Sequence, residues 1–152
     1  MPTITPFLWF DNQLEDAVAF YTSVFGDSAV PSSAGPSGGA TMASFRLAGQ
    51  DFMGLNGGPM YAFTPAISLF VSCEGQEEVD YLWDRLCDGG SPSRCGWLVD
   101  RFGLSWQIIP TALGRLMGDP DAERAGRVMQ AMLAMTKIEV AGLQAAYDGP
   151  SA

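Results

Sequence analysis

The chain has 152 residues, 47% hydrophobic and 16% charged, which is enough apolar material for the core of one ordinary domain and argues against disorder. A formal net charge of −9 makes phosphate backbones and anionic membranes poor partners, so neither nucleic acid nor a membrane is expected. Histidine is absent, which removes Ser-His-Asp hydrolysis, Cys-His proteolysis and His-ligated zinc together.

Residues 1–10 show no basic segment ahead of an apolar core, and Asp11 arrives too early for a leader. No apolar run approaches the roughly 20 residues of a membrane helix. Cys73, Cys87 and Cys95 are an odd number without export signals, which fits reduced thiols and a cytoplasmic protein.

Residues 4–10 (ITPFLWF) predict a buried strand, with Pro6 marking an edge or a bulge. The period then changes. Leu14, Val18, Tyr21 and Phe25 share one helical face over residues 11–26, with Asp11 or Asn12 as cap and Gly26 as stop. Residues 31–39 (PSSAGPSGG) read as a loop of turn formers. Residues 41–47 and 51–56 read as a hairpin, broken by Asn56-Gly57-Gly58-Pro59.

Residues 66–73 predict a further strand and residues 76–87 a helix, whose face is Val79, Leu82, Trp83 and Leu86. Strands over 95–99 and 104–109 flank Asp100-Arg101-Phe102-Gly103, and Pro110 closes the run. In the tail, Asp119 is expected to cap a helix whose first position is Pro120, with Val128, Met132 and Met135 on one face. Thr136 and Glu139 have the spacing of a capping box for a last helix ending at Ala146 or Tyr147.

The halves echo each other: Phe20-Tyr21, Phe25 and Asp27 recur as Tyr81-Leu82, Leu86 and Asp88. Two copies of one strand–helix–three-strand unit follow, too few for a stacked array.

These features carry a resemblance. The paired unit, together with residues 4–11, 17–25 (AVAFYTSVF), 55–59 (LNGGP), 95–110 (CGWLVDRFGLSWQIIP) and the tail over 119–147, resembles the PhnB-like branch of the vicinal oxygen chelate superfamily. That branch is often labelled demethylubiquinone methyltransferase-like, and the superfamily has the glyoxalase and bleomycin-resistance fold. The resemblance implies an α+β domain over 1–152. It would contain two βαβββ repeats, about 3–60 and 64–110, followed by a helical tail over 111–148.

It also implies where a metal would sit, on the first and last strands of each repeat. Those positions fall at Pro6, at one of Ala66, Ile67 or Ser68, and at Gln107, with Met60 where relatives carry a histidine. None is a strong ligand for a divalent cation, so no metal and no cofactor is expected.

Gln107 and Asn56, polar groups at strand ends, suit either a structural hydrogen bond or a neutral ligand. Phe10, Met53, Met60, Phe70 and Ile109 complete the expected ligand-binding set, with core packing as the alternative for the apolar members. Trp9, Trp97 and Trp106 are strand residues for which packing is the default. If Gln107 faces a ligand, alternation puts Trp106 against a helix and Ile109 beside Gln107. The only near candidates for a general acid or base are Asp51, Asp100 and Cys95, and Asp100 already has a place in its turn. The expectation is a homodimer holding a small, largely uncharged organic molecule between the strands of its repeats, with catalysis on that molecule as the alternative. Methyl transfer ranks last, because no glycine-rich nucleotide loop is present.

Overall fold

The computed structural model describes residues 1–26, 29–34 and 41–150, and the chain divides into two units, Met1–Phe63 and Thr64–Ala152. The first unit runs β1 (Phe7–Phe10), α1 (Leu14–Phe25), β2 (Ala29–Ala34), β3 (Thr41–Leu47) and β4 (Gln50–Asn56). Its strands lie in the order β1-β4-β3-β2, with β1 parallel to β4 and the other pairs antiparallel. Strand β1 is thus at an edge, where Pro6 costs no ladder bond.

Alternation separates the two faces of this sheet. Leu8, Phe10, Ala43, Phe45, Leu47, Phe52 and Gly54 are buried on one face, which α1 covers with Leu14, Ala17, Val18, Tyr21 and Val24. Gly54 permits that approach, since a Cβ there would stand 2.7 Å from Leu14 Cδ1. The hairpin turn is Ala48-Gly49, both at positive φ (49° and 82°), the two-residue turn whose twist matches its strands.

Helix α1 starts three residues later than its period predicts. Neither Asp11 nor Asn12 caps it. Asn56 does, its Oδ1 accepting the Leu14 N–H at 2.9 Å and its Nδ2 donating to Glu15 at 3.2 Å. Gly26 ends the helix in the left-handed region, as expected. The predicted loop over 31–39 is corrected for residues 31–34, which belong to β2 and pair with β3 through Ser33↔Met42 and Ala34↔Thr41. Residues 35–39, and Asp27 of the repeat correspondence, lie outside the described residues.

The second unit repeats the order: β5 (Leu69–Cys73), α2 (Gln76–Cys87), β6 (Ser91–Pro92), β7 (Trp97–Val99) and β8 (Ser105–Pro110), with strand order β5-β8-β7-β6 and β5 parallel to β8. Helix α2 has the predicted bounds, and its buried residues are the predicted Val79, Leu82, Trp83 and Leu86. The turn between β7 and β8 is built on Asp100, which is 3% exposed. Its carboxylate accepts the N–H groups of Phe102 (2.8 Å) and Leu104 (3.0 Å) and the Trp106 indole N–H (2.9 Å). That network makes Asp100 a turn-forming residue.

The tail folds as α3 (Thr111–Met117), α4 (Ala122–Leu133) and α5 (Val140–Asp148). Helix α3 lies within the expected helical tail, although no periodic face marks it in the sequence. Asp121, not Asp119, caps α4 through the N–H groups of Glu123 and Arg124. Asp119 instead accepts the Tyr147 hydroxyl at 2.7 Å, and its carboxyl is held below the ordinary range chiefly by that bond. The expected capping box does not form. The first N–H of α5, on Val140, is taken by Gln76 Oε1 at 2.6 Å, while Gln76 Nε2 donates to Ile138 O at 3.0 Å.

The two sequence halves thus become two βαβββ units with a helical tail on the second.

Candidate functional site

Strand β8 divides its side chains between two faces. Trp106 and Ile108 are buried on the side that α2 covers, as alternation predicts for Trp106. Ser105, Gln107 and Ile109 point to the other side. Gln107 is half-buried and stands in register between Phe70 on β5 and Trp97 on β7. Phe70 is 58% exposed. Gln107 Nε2 donates to Ser68 Oγ at 3.0 Å.

Toward Pro110, the tail closes this face. Ile109 is buried with Leu113, Leu116, Val128, Ile138 and Leu143 in the core of the tail. Cys95 and Gly96, at φ 59° and 83°, turn their N–H groups onto the carbonyls of Met135 and Thr136 and fasten the tail there. A Cβ at Gly96 would meet Ile109 Cδ1 at 2.7 Å, so that approach also needs glycine. At the other end, Ser105 is 1% exposed, and its hydroxyl has no hydrogen-bond partner among the described residues.

In the first unit the matching row is Trp9, Leu55 and Met42, in register across β1, β4 and β3. It carries no polar group except the Trp9 indole N–H, which donates to Gly58 O at 2.9 Å. The Asn-Gly-Gly-Pro turn folds onto that indole: a Cβ at Gly57 would run into the Trp9 ring, and Tyr61 meets the ring edge-on at 5.1 Å. A hollow of about 430 Å³ in the same unit includes Thr5, Ser44, Arg46, Asp51 and Met53 in its lining. Its charged groups are already paired, Arg46 to Asp51 at 2.8 Å, so the Gln107 face is the better candidate.

The expected site residues therefore separate. Phe70 and Gln107 come together, and Met53 lies on the opposite face of its sheet from α1. Met60 is 74% exposed in the turn after β4. Phe10 is corrected: it lies on the α1 face, 2% exposed, with its ring edge-on to Phe63 at 5.3 Å. Ile109 is corrected too, because the tail covers it. Asn56 has the structural role, capping α1. Sequence reasoning assigned no role to Ser105, since a serine between apolar strand residues carries no pattern of its own.

The thiols offer little. Cys73 is fully buried, and burial, reinforced by Glu78, pushes its thiol up to about 11. Burial also raises the Cys87 thiol, with Asp84 adding to the shift. Cys95 Sγ faces Leu133 O at 3.9 Å.

In neither unit do the positions marked by the resemblance offer a strong donor to a divalent cation. Pro6 offers only a carbonyl, already bonded to the Met53 N–H, and Gln107 and Ser68 are neutral and bonded to each other. Among the described residues no group of three or more His, Cys, Asp or Glu could hold a metal ion.

The sequence model of the 3-demethylubiquinone-9 3-methyltransferase family matches residues 2–109. The chain belongs to that PhnB-like family. A Bacillus cereus PhnB protein of that description is 34% identical; its structure superposes with a TM-score of 0.66 over 72% of this chain and 100% of its own. Two more distant structures share the fold. The fosfomycin resistance protein FosX of Listeria monocytogenes, complexed with manganese(II) and sulfate, is 17% identical, with a TM-score of 0.54 over 70% of this chain and 89% of its own. A glyoxalase/bleomycin resistance protein/dioxygenase domain from a Frankia species is 16% identical, with a TM-score of 0.52 over 72% and 92%. No curated protein matches. The family match ends at Ile109, so the tail, read above as part of the resemblance, lies beyond it. No helix of the described residues is long and apolar enough to cross a membrane.

Proposed function

We propose that the protein binds a small, largely uncharged organic molecule on the Gln107 face without a divalent metal. The observation that carries this reading is the row Phe70–Gln107–Trp97, one neutral amide between two aromatic groups on adjacent strands. An amide gives and accepts hydrogen bonds without imposing charge, and aromatic neighbours offer flat apolar area. At the positions where the resemblance would put a metal, this chain has Pro6, one of Ala66, Ile67 or Ser68, and Gln107. The charge of −9 disfavours anionic ligands at long range.

Catalysis on the bound molecule is the second reading, favoured only by the family's name. Of the near candidates for a general acid or base, Asp100 is occupied by its turn and Asp51 by Arg46. For methyl transfer, the strand-to-helix junctions at 11–13, 74–75 and Pro110 lack the glycine-rich loop of the common methyl-donor fold. We also propose a homodimer, supported by the exposed Met129 and Leu133 on α4.

The test is a screen of neutral and anionic aromatic compounds, followed by calorimetric titration of the parent protein and Gln107→Ala. Preference for neutral compounds, weakened in the variant, is the expected result. Tightest binding of an anion, or addition of a metal as a requirement for binding, overturns the reading.

A further inference from the structure

We propose that Ser105 is a second ligand-contacting group, and that Ser68, Ser105 and Gln107 together take the edge of a flat neutral ring carrying a carbonyl beside an N–H or O–H. This rests on the reading of the Gln107 face as the binding site, and it specifies which chemistry that face selects.

The starting observation is an orphaned hydroxyl. Ser105 is 1% exposed, and its Oγ is the one buried side-chain polar atom among the described residues without a partner. Buried hydroxyls almost always have a partner, because leaving one unpaired is costly. Strand alternation puts Ser105 on the same face as Gln107, two residues along β8. One position before the Leu69–Trp106 pair, Ser68 comes level with Ser105, and Ser68 already accepts from Gln107. The three polar side chains thus gather on one face, Ser105 and Gln107 on β8 and Ser68 just ahead of β5, where it is bonded to Gln107.

The hydrogen-bond inventory of that patch defines its ligand. One Gln107 N–H is used on Ser68, which leaves a second N–H and the Oε1 acceptor. Ser68, having accepted, keeps its own hydrogen to donate, and Ser105 can donate or accept. The patch therefore offers donors and an acceptor side by side and no formal charge. A carboxylate would use only the donors and would bring an uncompensated charge. An ether would leave the Gln107 oxygen unpaired. A ring carbonyl with an adjacent N–H or O–H answers both kinds of group, and Phe70 and Trp97 lie on the strands that flank it.

The probes are 2-pyridone, N-methyl-2-pyridone and benzoate, titrated into the full chain and followed by backbone amide resonances. We expect 2-pyridone to shift the signals of Phe70, Trp97, Ser105 and Gln107, with N-methyl-2-pyridone about tenfold weaker, as for a site that loses one hydrogen bond. Ser105→Ala should weaken both pyridones by about tenfold, since each keeps the ring carbonyl to which Ser105 donates. Its thermal midpoint should stay level or rise, since the lost hydroxyl had no partner. If both pyridones bind alike and Ser105→Ala changes neither, the inference falls while the neutral-ring reading of Gln107 survives. If Ser105→Ala melts well below the parent, the hydroxyl has a structural bond and the inference falls again. If benzoate binds best, or no neutral probe shifts the row, the reading of the Gln107 face falls with it.

Discussion

Gln76, the first residue of α2, caps α5: its Oε1 accepts the Val140 N–H at 2.6 Å while its Nε2 donates to Ile138 O and Asp80 Oδ1. Asp80 in turn pairs with Lys137 at 2.8 Å. One amide therefore joins the helix of the repeat to the segment that leads into the last helix. Gln76→Ala should destabilise the protein by about 1–2 kcal/mol, the usual cost of losing a cap. Urea unfolding measures the loss, and amide exchange at Val140 should rise more than exchange within β8. Equal protection of Val140 in both proteins would show that the cap contributes nothing.

Gln107→Ala should weaken binding of a neutral ligand by about 1–2 kcal/mol, the scale of one buried hydrogen bond. Its unfolding midpoint should change little, since the bond given up, to Ser68, is half-exposed. Gln107→Glu should also weaken a neutral ligand, because it puts a charge where the ligand offers none. Unchanged affinity in Gln107→Ala would make this residue structural.

Elemental analysis of protein purified without a tag should find no stoichiometric divalent metal. About one Zn, Ni, Mn or Fe per chain, removable with loss of thermal stability, would contradict the donor-set argument built on Pro6, Ser68 and Gln107.

Alkaline stability should follow Cys73. Its thiol lies at about 11 in the fold against an ordinary 9.0, because burial disfavours the thiolate. A raised value stabilises the fold fully below the unfolded value, and the contribution is lost as pH rises through the folded one. Stability should therefore fall between about pH 9 and pH 11, by on the order of 2 kcal/mol. The fall should be smaller in Cys73→Ala, with Cys87 leaving a residue of it in the same direction. A parent curve that is flat over this window would refute the assignment.

Light scattering at micromolar concentration should give twice the chain mass of 16.2 kDa. A single-chain mass that persists as concentration rises would remove the dimer.

What the sequence disclosed follows from how local each signal is. Helix α2 was legible to the residue, since Val79, Leu82, Trp83 and Leu86 give its period and Gly75 and Gly89 bracket it. The start of α1 was not, because its cap is Asn56, far along the chain. The capping box failed because the Glu139 N–H that it would engage faces Met135 Sδ, and the first N–H of the helix, on Val140, goes to the distant Gln76. Strand β2 was hidden because Pro31-Ser32-Ser33 reads as a turn and becomes a strand only by pairing with β3. At the site, Gln107 was legible as an amide among apolar strand residues. Ser105 was not, because its interest lies in a missing partner, and Ile109 was misplaced because nothing local announces that the tail covers it.

The strand order has a consequence for synthesis. In each unit the strand made first lies at a sheet edge, and its neighbour is the strand made last: β1 beside β4, and β5 beside β8. As the chain leaves the ribosome, β5 and its exposed Phe70 must wait through α2, β6 and β7 before their partner exists. In each sheet the last three strands can pair in the order of translation, but the first cannot join until the fourth has formed. Each closes in one late event that joins distant residues, the slow kind of contact in folding. A message cut short before Ser105 would release a chain whose β5 has an unpaired backbone on offer to other chains, which makes premature termination there a route to aggregation.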